Sequence, residues 1–169
     1  ERKELELVNC KASFKKHGLK TSVLDLIKSD KATVEQALIN ADLVWVMGGN
    51  TFYLNYYAHK SGFSEVLKPL LDNGLVYGGE SAGAVLIGST LHGIEHLDDP
   101  KLAPEVIWQG IGLLGYGLLP HWGWDKYGEY LKQAKAGMER HAKVMTIDND
   151  KALVIIDGSI KTVPNKAST

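Results

Sequence analysis

The pentapeptide Gly79-Glu80-Ser81-Ala82-Gly83 holds one serine between two glycines. It lies where the apolar run Leu75-Val76-Tyr77 gives way to small residues. A G-x-S-x-G sequence between a strand and a helix makes a sharp turn that holds the serine hydroxyl within reach of a substrate. Side chains at Gly79 or Gly83 would crowd that bend and block packing of helix on strand. The helix beyond brings free amides and a positive dipole end to Ser81, favouring negative charge that develops there. The competing reading is that Ser81 only caps the helix.

A serine hydroxyl becomes a nucleophile when a base within hydrogen-bond reach takes its proton. Of the six histidines, His17 falls at a helix end, and His59, His92, His96 and His141 fall in polar helix-like or loop stretches. His121 follows Leu118-Leu119-Pro120, so a strand end delivers it, as one delivers Ser81. It is the expected base; the alternative is a histidine packed between Pro120 and Trp122. A third group must fix the tautomer of such a base. Asp148, Asn149 and Asp150 stand in a loop after a strand-like run and are the candidates, although Asp-Asn-Asp is also a good plain turn. Asp98 and Asp99 have the right chemistry but no strand end to carry them. The amides of Ala82 and Gly49 are the expected donors to an oxyanion, glycine allowing close approach of the main chain. Gly48-Gly49-Asn50-Thr51 could otherwise cradle a phosphate, but it lacks the lysine and spacing of a P-loop. His92, Glu95 and His96 have metal-like spacing, which Gly93 between them disfavours as a helix.

The elements that must carry these groups alternate. Residues 1–17 place Leu5, Val8 and Ala12 at helical spacing, ended by Gly18. Thr21 to Ile27 reads as a strand and Thr33 to Ile39 as a short helix capped by Thr33. Leu43 to Met47 is a continuous apolar run, expected as a strand buried on both faces. Helices are expected around Phe52 to His59 and Phe63 to Leu71, followed by the strand bearing the serine turn. After a mixed, glycine-rich region come the strand ending at His121 and a helix near Tyr127 to Met138. Short strands follow at Val144 to Ile147, Leu153 to Ile156 and Ile160 to Val163, the last two joined by Asp157-Gly158-Ser159. The pattern predicts an α/β fold: a doubly wound, mostly parallel sheet with helices on both faces. Loops at the carboxyl ends of its strands gather at one edge, which would bring Gly48-Gly49 beside Ser81. Such a domain usually opens on a strand, so the opening helix suggests that N-terminal strands are missing.

At 169 residues, 44% hydrophobic and 23% charged, the chain fits one domain over residues 1–163 with a polar tail at 164–169. A net charge of −1 without a dense basic block argues against nucleic acid as a partner. One cysteine, Cys10, rules out a disulfide within the chain and a cysteine metal cluster, and fits the cytoplasm. No apolar run reaches bilayer length, and Glu1-Arg2-Lys3-Glu4 lacks a signal peptide's apolar core, so no membrane partner is expected. The order serine, histidine, acid also departs from an α/β-hydrolase, where the acid precedes the histidine.

Three segments together resemble the peptidase E and cyanophycinase family of serine peptidases: Gly48-Gly49-Asn50-Thr51-Phe52, Gly79-Glu80-Ser81-Ala82-Gly83-Ala84 and Leu119-Pro120-His121. Order and spacing agree over about Val44 to Asp157. The resemblance implies a class I glutamine amidotransferase-like fold with serine in place of cysteine. It also implies Ser81 as nucleophile, His121 as base, Gly49 and Ala82 as oxyanion donors, and no cofactor or metal. The activity implied is hydrolysis of short peptides after aspartate, such as Asp-X dipeptides, by a monomer or homodimer. The family's acidic third group aligns with Asn149; a one-residue shift brings Asp148 or Asp150. Asn50 and Glu80, bordering these groups, are expected to contact substrate. Recognition of an aspartyl side chain calls for a cation, and Lys126, Lys132 and Arg140 are available. The rival readings are a non-catalytic binding domain on the same scaffold and an esterase using the same serine turn.

Overall fold

The computed structural model describes residues 2–164. The chain has an α/β fold with helices and parallel strands, and its strands hydrogen-bond in pairs. Helix α1 (Arg2–Lys16) and α2 (Lys31–Leu38) precede strand β1 (Leu43–Val46). Helices α3 (Thr51–Lys60) and α4 (Phe63–Asp72) lead to β2 (Val76–Gly79), which pairs in parallel with β1 from Leu43↔Val76 to Val46↔Gly79. The short α5 (Ala82–Leu86) follows, then two single 3-10 turns at Ile94–His96 and Pro100–Leu102. Strand β3 (Tyr116–Trp122) pairs in parallel with β4 (Lys143–Asp148) across α6 (Gly128–Met138). A hairpin of β5 (Lys151–Ile156) and β6 (Ser159–Pro164) ends the described chain. Its two-residue loop has Asp157 at φ 49 and Gly158 at φ 73, the both-positive turn whose twist matches the flanking strands. Pro164 closes β6; the rest of the expected tail lies outside the described residues.

Two apolar clusters flank α5. Val34, Leu38, Phe63, Leu67 and Leu86 belong to one, while Phe52, Val85, Leu91, Ile94, Leu119 and Met138 belong to the other. Adjacent residues of α5 thus anchor opposite cores, Val85 in one and Leu86 in the other. This fixes the rotation of the helix that starts just after Ser81.

Three local expectations change. Thr21 to Ile27 is irregular, because the Asp25 carboxylate accepts the Ile27 amide at 3.1 Å and Ser29 Oγ donates to the Asp25 carbonyl at 2.7 Å. These local bonds replace a strand ladder, although Leu24 and Leu26 still pack on the first core. The cap of α2 is Asp30, whose carboxylate accepts the Thr33 amide at 2.9 Å and its hydroxyl at 2.6 Å. Thr33 is therefore the capped residue. Strand β1 is not buried on both faces: Trp45 stays 40% exposed, packed edge-on to Phe14 with centroids 5.6 Å apart.

Candidate active site

Ser81 sits between β2 and α5 with φ 51 and ψ −116, a conformation that side chains rarely adopt. Packing enforces it. A Cβ on Gly83 would lie 2.2 Å from the Val46 carbonyl oxygen, and one on Gly79 would lie 2.5 Å from the Gly83 carbonyl oxygen. The turn is therefore closed against the end of β1, with no room for a side chain at either glycine. The Tyr77 hydroxyl donates to the Gly83 carbonyl at 2.6 Å and ties the strand to the first turn of α5. Burial pushes the Tyr77 phenol far above its ordinary value, so it stays a donor.

The Ser81 hydroxyl makes no capping bond to its helix. It meets His121 Nε2 at 3.0 Å instead, and His121 Nδ1 lies 2.8 Å from Asn149 Oδ1. An amide oxygen can only accept, so Nδ1 carries the proton and Nε2 is left to accept the serine's. His121 reaches this place through an irregularity in β3. The register slips between Pro120 and Trp122, and His121 takes φ 64, as a bulged residue re-aimed out of the ladder. Trp124 and Tyr127 then frame its ring at 5.5 and 5.6 Å. The sequence reading did not single out these two residues. Their signal was the aromatic cluster Trp122-Gly123-Trp124-Asp125-Lys126-Tyr127, which turns back onto the histidine.

The flanking candidates are engaged elsewhere or unassigned. Asp148 forms an ion pair with Lys151, which raises the Lys151 pKa, chiefly through that hydrogen bond. Asp150 is exposed in the turn and makes no hydrogen bond to His121. Asp98 and Asp99 make no hydrogen bond to His121 and instead fasten their loop to the start of α3. Asp98 Oδ2 accepts the Thr51 amide at 2.8 Å and the Thr51 hydroxyl at 2.6 Å. The Asp99 carbonyl accepts from Asn50 Nδ2 at 2.9 Å. Asn50 Oδ1 caps α3 by accepting the Tyr53 amide, so both ends of the Asn50 side chain are occupied by the fold. Glu80 is exposed, and its charge bears on Cys10, whose thiol is pushed up mainly by burial. His92 stacks between Trp108 and His141, with centroids 4.5 and 3.7 Å away, and Glu95 accepts the Gly93 amide.

Two main-chain donors remain. Within the first turn of α5, Gly83, Ala84 and Val85 donate to Glu80 or Ser81 carbonyls, while the amide of Ala82 donates to none of the described residues. The same holds for Gly49, whose φ of 150 only glycine adopts readily. Gly48 abuts the serine: a Cβ there would lie 3.1 Å from Ser81 Cβ. With only five residues, α5 has a short dipole, so unpaired amides matter more here than a macrodipole.

Ser81 and His121 open into a small cleft of about 40 Å³, walled by Val85, Ile94, Leu97, Tyr127, Thr51 and Asp98. A larger, wide-open depression of about 820 Å³ lies at the opposite ends of β3 and β4, around Tyr116, Arg140 and Lys143, and contains none of these groups. The small cleft is the one of the two that holds Ser81 and His121. Lys132 is paired with Glu129 at 2.9 Å, and Arg140 lines the distant depression. Lys126 is nearer, its Nζ 5.1 Å above the Trp124 ring that frames His121.

Residues 7–163 match the model of Peptidase family S51. A Listeria innocua protein described as an uncharacterized peptidase is 27% identical over 153 residues, which is 90% of this chain and 73% of its own. Peptidase E of Nostoc sp. is 28% identical over 109 residues, 64% of this chain and 42% of its own. Among solved structures, a putative peptidase E protein from Listeria monocytogenes superposes with a TM-score of 0.83 at 24% identity, covering 91% of this chain and 75% of that one. A peptidase from an acI-B1 actinobacterium does so with a TM-score of 0.74 at 17% identity, covering 97% and 69%. These likenesses bear on the fold.

Proposed function

The chain belongs to peptidase family S51 and is a serine-type peptidase, and from that premise we propose that it hydrolyses short peptides through an acyl-enzyme on Ser81. The observation that carries this reading is the unbroken chain Ser81 Oγ, His121, Asn149, with links of 3.0 and 2.8 Å. Ser81 Oγ attacks the scissile carbonyl while His121 Nε2 takes its proton. The carbonyl oxygen, now negative, receives the amides of Ala82 and Gly49. Collapse breaks the C–N bond, His121 hands its proton to the leaving amine, and the acyl group remains on Ser81 as an ester. Water, deprotonated by His121, then releases the acid and restores the serine. Asn149 holds the imidazole in the tautomer this needs.

Dipeptides with N-terminal aspartate are the proposed substrates. The resemblance of the serine and histidine segments to the peptidase E family supports this, and Lys126, over the Trp124 ring that frames His121, is a cation that an aspartyl carboxylate could meet. Among the described residues no helix is long and apolar enough to cross a membrane. The test is a dipeptide library together with fluorophosphonate labelling. Ser81→Ala should lose labelling and on the order of 10⁴-fold or more of turnover. Turnover that survives in that variant removes the assignment. Turnover of acyl esters with none of dipeptides would replace a peptidase by an esterase.

A further inference from the structure

The cleft at Ser81 is small, about 40 Å³, so the half of a substrate that departs must extend beyond it. In the proposed reaction His121 Nε2 hands its proton to the departing amine, which must therefore come within hydrogen-bond reach of the ring. The β-carbon of the departing residue is two bonds from that nitrogen, a span of about 2.5 Å. Its side chain is thus confined to whatever surrounds His121. The chain places aromatic rings there. Trp124 and Tyr127 have ring centroids 5.5 and 5.6 Å from that of His121, and they meet each other at 5.2 Å with planes 84° apart. Two rings at nearly a right angle make a corner. Main-chain bonds hold it in shape: the Trp124 amide donates to the His121 carbonyl at 3.1 Å, and the Tyr127 and Gly128 amides donate to the Trp124 carbonyl at 3.0 and 3.2 Å. Lys126 Nζ lies 5.1 and 5.6 Å above the two rings and braces them.

The corner is joined to the cleft, since Tyr127 belongs to both. Trp124 is 39% exposed, so indole surface next to the reacting histidine stays in water until something covers it. An apolar side chain laid there removes both surfaces from water, and an aromatic one adds ring-on-ring attraction. We infer that Trp124 and Tyr127 seat the side chain of the departing residue, making this site selective for peptides with a large apolar or aromatic residue just after the cut. The inference rests on the peptidase reading of Ser81 and adds the preference on the far side of the scissile bond. The corner is built before substrate arrives, so seating the side chain costs little ordering. The acyl group left on Ser81 is the same whatever has departed. The preference therefore acts on acylation, which kcat/KM reports, and not on release by water.

The experiment compares dipeptides that share a first residue and differ in the second: Asp-Ala, Asp-Leu and Asp-Phe. Where the dipeptide library prefers another first residue, that residue replaces aspartate throughout. Wild-type kcat/KM should rise from alanine through leucine to phenylalanine, on the order of 10-fold across the series. In Trp124→Ala the phenylalanine-to-alanine ratio should fall to within about twofold of unity, while Trp124→Phe, which keeps a ring, should retain most of it. Only the ratio is read, because a His121 displaced by the substitution would slow all three substrates alike and leave the ratio intact. A wild-type ratio near or below unity overturns the inference, and so does a folded Trp124→Ala that keeps the wild-type ratio. Where Trp124→Ala does not fold, Trp124→Gln, with length but no apolar face, carries the same expectation; where neither folds, the wild-type ratio decides alone. Fluorophosphonate labelling of the wild type with no turnover of any dipeptide also overturns the inference, leaving Ser81 as a nucleophile. Absence of both labelling and turnover would instead bring down the peptidase reading itself.

Discussion

Replacing Asn149 by aspartate tests the charge logic of the site, because it changes the partner of His121 from a neutral acceptor to an anion at the same place. The distance to be kept is the 2.8 Å between Asn149 Oδ1 and His121 Nδ1. A neutral hydrogen bond contributes about 0.5–1.5 kcal/mol net and one to a charged group about 1.5–3 kcal/mol. A full charge about 4 Å from the imidazolium formed in the transition state adds at most about 4 kcal/mol near a protein surface and about 1 kcal/mol in bulk water. Asn149 is exposed, and the carboxylates of Asp148 and Asp150 beside it oppose a third anion, so the lower range applies. Asn149→Asp should therefore raise kcat/KM by about 1–2 kcal/mol, on the order of 5- to 30-fold. The acid limb of the rate profile should move to higher pH, since an anion favours the protonated imidazole that cannot act as base. Asn149→Ala should lower kcat/KM on the order of 10- to 100-fold through loss of the bond and of the tautomer it sets. The assay is kcat/KM against pH on the best dipeptide, beside the rate of fluorophosphonate labelling. Wild-type behaviour of Asn149→Ala together with loss of activity in Asp148→Ala would show that the orienting group is the wrong one. A folded Asn149→Asp that is no faster would refute the electrostatic argument.

Other outcomes follow from the packing and the titrating groups. Gly83→Ala puts a methyl carbon 2.2 Å from the Val46 carbonyl oxygen, so it should cost at least about 2 kcal/mol in urea unfolding and abolish labelling of Ser81. Tyr77→Phe removes the donor to the Gly83 carbonyl and should cost about 1 kcal/mol by the same measurement. His92 has a lowered pKa, first from burial and then from His141 stacked on it. The unfolded chain therefore takes up this proton at higher pH than the folded one. Stability from this site is intact above the ordinary histidine range and falls as pH drops through it toward the lowered value. His92→Phe, which keeps a stacked ring, should flatten that part of the curve of melting temperature against pH; an unchanged curve would show that another group governs it.

The alternation of apolar runs with helical spacing was readable along the chain, because a 3.6-residue or two-residue period is a local property. So were Ser81 in its glycine frame and His121 behind Leu119-Pro120, since a strained turn and a strand end leave marks in the residues that form them. Tertiary structure decided the rest. The choice among Asp148, Asn149 and Asp150 depends on where β4 stops and on Lys151 engaging Asp148, which adjacent polar residues cannot reveal. The irregularity that turns His121 out of β3 arises from pairing with β4, a partner some 25 residues away. Asp98 gained its place from bonds to Thr51, 47 residues earlier, and the sequence offered it only as a less suitable acid. The stretch from Thr21 to Ile27 had strand composition but no ladder, and Asp25 closed it into a turn. The residue types proposed to react are legible in one dimension, but the hydrogen-bond partners that would set their chemistry come from contacts between distant segments, which exist only once both cores close around α5.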